Sequence, residues 1–95
     1  MINVPKDYIA PIISILEWHL KFYVPEVIFE IRVKRILDKL YKDSPDCHTY
    51  IEKNEIYYIY ECVSDATNNI QACNIEKDLV WDIHSWAFAE YKQVK

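Results

Sequence analysis

Apolar residues recur at helical spacing over residues 7–23. Ile9, Ile12, Ile13, Leu16, Leu20 and Tyr23 follow the i, i+3, i+4, i+7 rule, while Ser14, Glu17 and Lys21 share the opposite face. Asp7 suits the N-cap, and Pro11 falls early, where helical amides lack partners. Ile15, Trp18 and Phe22 widen the stripe, which predicts contact with more than one neighbour. Val24-Pro25 ends this helix, because a residue before Pro avoids the α region. Pro25 then opens a second helix, with Glu26 in its first turn. Phe29, Val33, Ile36, Leu37, Leu40 and Tyr41 form its apolar face; Arg32, Lys34, Arg35, Lys39 and Lys42 form its polar one. The β-branched pair Val27-Ile28 makes a strand the competing reading there. Residues 42–46 read as a turn around Pro45.

From His48 to Val63 the residue types become β-branched and aromatic. Thr49-Tyr50-Ile51 and Ile56 to Tyr60 predict two antiparallel strands, with Lys53-Asn54 as the turn. A two-residue turn pairs Ile51 with Ile56, Tyr50 with Tyr57 and Glu52 with Glu55, the last a like-charge pair; a four-residue loop holding both glutamates is the alternative. Residues 70–75 fit a third strand, slightly preferred, or a short helix capped by Ser64. A final helix is predicted over 77–92, with Val80, Ile83, Ala87 and Tyr91 on one stripe and Leu79 and Trp86 beside it.

These elements predict an α+β fold in one domain, residues 1–95. It has two N-terminal helices, an antiparallel β-hairpin or small three-stranded meander, and a C-terminal helix packed on the sheet. Ile13, Leu16, Leu37, Ile59, Ile83 and Ala87 lie at the centres of their stripes and form the predicted core.

Composition narrows the function. The chain has no Gly, yet eight Tyr, three Trp and three Phe. Phosphate-cradling loops, dinucleotide fingerprints and nucleophile elbows need positions that a Cβ would block. The N-terminal stretch lacks a secretory pattern, and no run approaches the ~18 apolar residues of a membrane span. Three Cys is an odd number, which favours reduced thiols and a cytoplasmic protein over a disulfide framework.

Cys47, His48, Cys62, Cys73 and His84 are the possible metal ligands, but only Cys47-His48 is a close pair. Structural zinc sites show closely spaced ligand pairs, so no metal and no cofactor is expected. No signature of a thiol nucleophile surrounds any Cys. His48 near Asp46 and His84 near Asp82 lack the rest of an acid–base constellation, so no enzymatic activity is expected.

The net charge is −4, and the two halves differ. Residues 1–45 hold seven basic and six acidic side chains; residues 46–95 hold four and nine. The basic cluster on the second helix is interleaved with Glu26, Glu30, Asp38 and Asp43, as i, i+4 pairing on a solvated face would be. Direct nucleic-acid binding would work against the overall acidity. Acid and tyrosine coincide in the second half. Glu52, Glu55, Tyr57, Tyr60, Glu61 and Asp65 form one predicted partner-binding group, with Asp78 and Asp82 as a second acidic cluster. Tyrosine is a preferred interface residue, and carboxylates around it speed encounter with a basic partner.

The sequence therefore favours a small acidic binding protein that neutralises a basic protein, foremost an immunity protein inhibiting a nuclease toxin. No membrane partner is expected, and a monomer is favoured. The alternatives are a phage-encoded inhibitor of a nucleic-acid-handling complex and a dimerising regulatory or structural subunit. Exposure of Trp18, Phe22 and Phe29 would favour dimerisation; their burial beside exposed tyrosines would favour the inhibitor.

Overall fold

The computed structural model describes residues 2–23, 26–42 and 49–94. In chain order the elements are β1 (Ile2–Val4), α1 (Lys6–Phe22), α2 (Val27–Lys42), β2 (Thr49–Ile51), a 3-10 turn (Lys53–Glu55), α3 (Ile56–Thr67), α4 (Ile70–Cys73) and α5 (Lys77–Val94). The protein is mostly helical, which corrects the α+β expectation. The Val24-Pro25 break, the 43–46 turn, Cys47, His48 and Lys95 lie outside the described residues.

Helix α1 starts one residue earlier than its pattern predicts. Pro5 takes the N-cap position and Asp7 lies in the first turn, where its charge still suits the helix dipole. Ile12, Ile15, Leu16, Trp18 and His19 are buried. The stripe is thus centred on Ile15 and Leu16, and Ile13, predicted to be core, is half-buried at its edge. Helix α2 buries Val33, Ile36, Leu37 and Leu40.

The largest departure from the predicted fold is at residues 56–67, which form α3 and not the second arm of a hairpin. Ile56, Ile59, Cys62, Val63 and Ala66 are buried, a spacing of three and four. A strand would place Tyr57 and Ile59 on one face, yet Tyr57 is exposed and Ile59 fully buried. The β preference of Tyr and Ile reflects packing on a half-buried surface, so a helix that buries the same side chains overrides it.

The expected turn at Lys53-Asn54 lies in the 3-10 helix that leads into α3. Glu52 and Glu55 do not oppose each other across strands. The Glu52 N–H donates to Glu55 Oε1 at 2.6 Å, and the Glu55 N–H donates to the Glu52 carbonyl at 3.0 Å. Residues 70–73 are the short helix α4, so the preferred third strand is absent. Asn74 ends α4 in the left-handed region at φ 54°, where Gly is usual; in a chain without Gly, Asn takes that position.

Thr49–Ile51 is a strand, as predicted, but its partner is Ile2–Val4. The antiparallel register pairs Ile2 with Ile51, Asn3 with Tyr50 and Val4 with Thr49. Ile2, Val4, Thr49 and Ile51 point inward, and Asn3 and Tyr50 outward.

Helix α3 is the centre of the packing. Helix α5 and helix α1 lie against it, and α2 packs on α1 and β2. The C-terminal helix therefore rests on helices and not on a sheet. Leu16, Leu37, Ile83 and Ala87 lie in the core, as their stripes predict, and Ile59 lies there too, but on a helix and not on the predicted strand. None of the described helices is long and apolar enough to cross a membrane.

Candidate protein-binding face

The α3–α5 contact creates a band of aromatic rings. Tyr57 meets Tyr91 with ring centroids 5.8 Å apart, and Tyr60 meets Tyr91 at 5.2 Å, Phe88 at 5.8 Å and His84 at 5.4 Å. His84 passes the chain on to Trp81 at 5.5 Å. Tyr57, Trp81 and Phe88 are each more than 40% exposed. Edge-to-face arrangement holds several of these rings in place and restricts their rotamers.

Carboxylates frame the band. Glu61 lies one helical turn after Tyr57 and is half-buried. Its negative charge is the main reason that the Tyr57 phenol is pushed above its ordinary range; partial burial and nearby Tyr91, Tyr58 and Glu26 add to the effect. Asp78 and Asp82 are exposed on α5, one turn apart, with Trp81 on the same face. The Tyr60–His84–Trp81 ring chain thus joins the two acidic groups that the sequence treats separately.

The eight predicted partner-binding residues divide three ways. Tyr57, Tyr60, Glu61, Asp78 and Asp82 belong to the band. Glu52 is exposed at the mouth of the 3-10 helix. Glu55 and Asp65 have other work. Glu55, expected to bind a partner, is 4% exposed; its Oε1 accepts from Lys39 Nζ at 2.7 Å as well as from the Glu52 amide. Asp65 turns towards α1 and accepts from His19 Nε2 at 2.8 Å.

Between α3 and α5, Tyr60, Glu61, Phe88, Tyr91 and Lys92 line a recess of about 160 Å³. Small-molecule sites usually need about 300 Å³ or more, so this recess suits a single side chain. Lys92 Nζ lies over the Phe88 ring, 5.4 Å from its centroid.

The remaining candidate chemistry is dispersed. Among the described residues no group of three or more His, Cys, Asp or Glu side chains could hold a metal ion. Cys62 and Cys73 are free and buried. Burial pushes both thiols up, and the charges of Asp65 and Glu61 add to the effect at Cys62. His84 is flanked by the rings of Tyr60 and Trp81.

Sequence reasoning missed His19, Trp81, Phe88 and Tyr91. His19 carried a signal, since it lies four residues after Ile15 and three after Leu16 on the α1 stripe. The partners of Phe88 and Tyr91 were hidden by reading Tyr57 and Tyr60 as strand residues.

These features define a small, mostly helical protein with an aromatic, acid-framed face. No protein-family model matches the chain, and neither a search of curated proteins nor one of solved structures finds a significant match.

Proposed function

We propose that this protein is a non-catalytic inhibitor that neutralises a basic protein partner in the cytoplasm; an immunity protein against a nuclease toxin is the form we favour. The observation that supports this reading is the exposed ring band on α3 and α5 with Glu61, Asp78 and Asp82 around it. Rigid aromatic anchors supply contact area, and the carboxylates steer a basic surface onto them. Nucleases carry basic sites for phosphate, which an acidic face complements.

The test is protection. Open reading frames next to this gene are expressed in a heterologous host with and without it. Relief of killing by a nuclease supports the proposal. In binding assays with that nuclease, Tyr57→Ala weakens the complex by about 2 kcal/mol or more. Joint charge reversal at Glu61, Asp78 and Asp82 lowers the on-rate and flattens its salt dependence. Unchanged affinity and salt dependence would rule the face out.

A second reading has its own observation. Phe22 is 65% exposed, Val27 70%, Ile28 66% and Ile31 49%, and the last two line a groove of about 230 Å³ with Arg32 and Arg35. Such a patch fits a dimerising subunit. Trp18 is buried and Phe29 half-buried, so Phe22 alone of the three expected residues points that way. Sedimentation over a wide concentration range decides it: Ile28→Glu with Ile31→Glu abolishes a dimer formed through this patch.

A further inference from the structure

Lys92 and Phe88 share one face of α5, four residues apart, and Lys92 Nζ is held 5.4 Å from the Phe88 ring centroid. A cation over the face of an aromatic ring is attracted by its quadrupole. The recess at this point offers a cation more than one ring. Tyr60 is tilted 43° to Phe88 and stands at 89° to Tyr91, so faces and edges both line it. Glu61 adds a carboxylate to the same wall. Among the described residues Glu61 has no ion-pair partner. The site thus joins a carboxylate with no ion-pair partner among the described residues to an aromatic cluster whose Phe88 ring already carries a cation from the chain itself.

We propose that this recess is the seat of an arginine side chain from the basic partner. Its guanidinium lies on the Phe88 and Tyr60 rings, pairs with the Glu61 carboxylate and displaces Lys92. Arginine fits better than lysine because its planar guanidinium stacks on rings and presents a donor fork to a carboxylate. Lys92 is the chain's own occupant of the cation position, and its release exposes the Phe88 face. The inference rests on the basic-partner reading above and names the group that the partner inserts.

The test uses the intact protein and N-acetyl-arginine amide, with N-acetyl-citrulline amide as the uncharged control of the same shape. Titration by NMR is expected to shift the Tyr60, Phe88 and Tyr91 resonances with the arginine compound. The citrulline compound binds about two- to fivefold more weakly, as the loss of one exposed cation–π contact implies. Glu61→Gln weakens arginine binding, and Lys92→Met strengthens it by removing the competing cation. Both side chains lie at the surface of the recess, and unchanged amide spectra elsewhere confirm the fold of each variant. Equal binding of citrulline, shifts confined to other surfaces, or no gain in Lys92→Met overturns the inference. If arginine amide ignores the recess while a basic protein still binds through charge, only the recess claim fails. If it binds there and no basic partner exists, the claim for function fails instead.

Discussion

His19 on α1 and Asp65 on α3 meet with 2.8 Å between Nε2 and Oδ2, although they stand 46 positions apart in the chain. His19 is 5% exposed, and its ring stacks on Tyr23 at 4.4 Å with planes only 6° apart. The Tyr23 hydroxyl in turn accepts from Asn69 Nδ2 at 3.3 Å. This chain of contacts fastens the C-terminal end of α1 to the end of α3. It also commits Asp65 to the fold, away from the aromatic band.

Removing the acceptor strands a buried donor. Asp65→Ala is expected to cost about 1–3 kcal/mol in urea denaturation, because the His19 side chain then loses its only hydrogen-bond partner among the described residues. Combining it with His19→Phe recovers much of that loss, since an apolar ring can still stack on Tyr23. A cost below about 0.5 kcal/mol for Asp65→Ala, the level of ordinary surface changes, contradicts a structural role.

Glu55 and Glu61 were grouped by sequence and separate on mutation. Glu55→Ala removes the side chain that accepts from the Glu52 amide and from Lys39, and should cost about 1–2 kcal/mol, as loss of a helix-end cap does. Glu61→Ala should stay within about 0.5 kcal/mol. Thermal or urea unfolding of the pair checks this, and equal costs contradict the assignment of Glu55 to the scaffold.

Cys62 is fully buried, and desolvation is the first cause of its raised pKa, ahead of the charges of Asp65 and Glu61. The folded thiol therefore keeps its proton where an unfolded thiol, near pH 8.5, loses it. The native state then binds more protons than the unfolded state, so stability is full below that pH and falls as pH rises above it. In a Cys47→Ser background, iodoacetamide at pH 8 should leave Cys62 unmodified until the protein is unfolded. Cys62→Ala should reduce the alkaline fall in stability. Rapid modification of the native protein at Cys62 contradicts its burial.

The Tyr57 phenol reports on the acidic face. Because Glu61 is the leading cause of its raised pKa, Glu61→Gln should bring its titration back towards the ordinary tyrosine range. Ultraviolet titration, or NMR of labelled tyrosine, gives the shift directly. An unchanged midpoint means that the two side chains are farther apart than the band requires.

The sequence by itself determined the helices whose apolar residues repeat over several turns. In α1, α2 and α5 the period of 3.6 is repeated often enough to stand without tertiary context, and Leu16, Leu37 and Ile83 are buried where that period places them. It also determined the exposed acidity of Asp78 and Asp82, which lie opposite the Val80 and Ile83 stripe. Local preference misled at residues 56–63, where Ile and Tyr favour strands and the helical spacing of Ile56, Ile59 and Val63 competes with that preference. Only packing against α1 and α5 decides between the two, because only there does the helix bury all three. The pairing of Ile2–Val4 with Thr49–Ile51 was equally illegible, since three residues carry no usable period. The divergent roles of Glu55, Glu61 and Asp65 follow from that same decision. Glu61 and Asp65 depend on which side of α3 they occupy and Glu55 on the 3-10 turn that leads into it, and neither exists until the chain has chosen helix over strand.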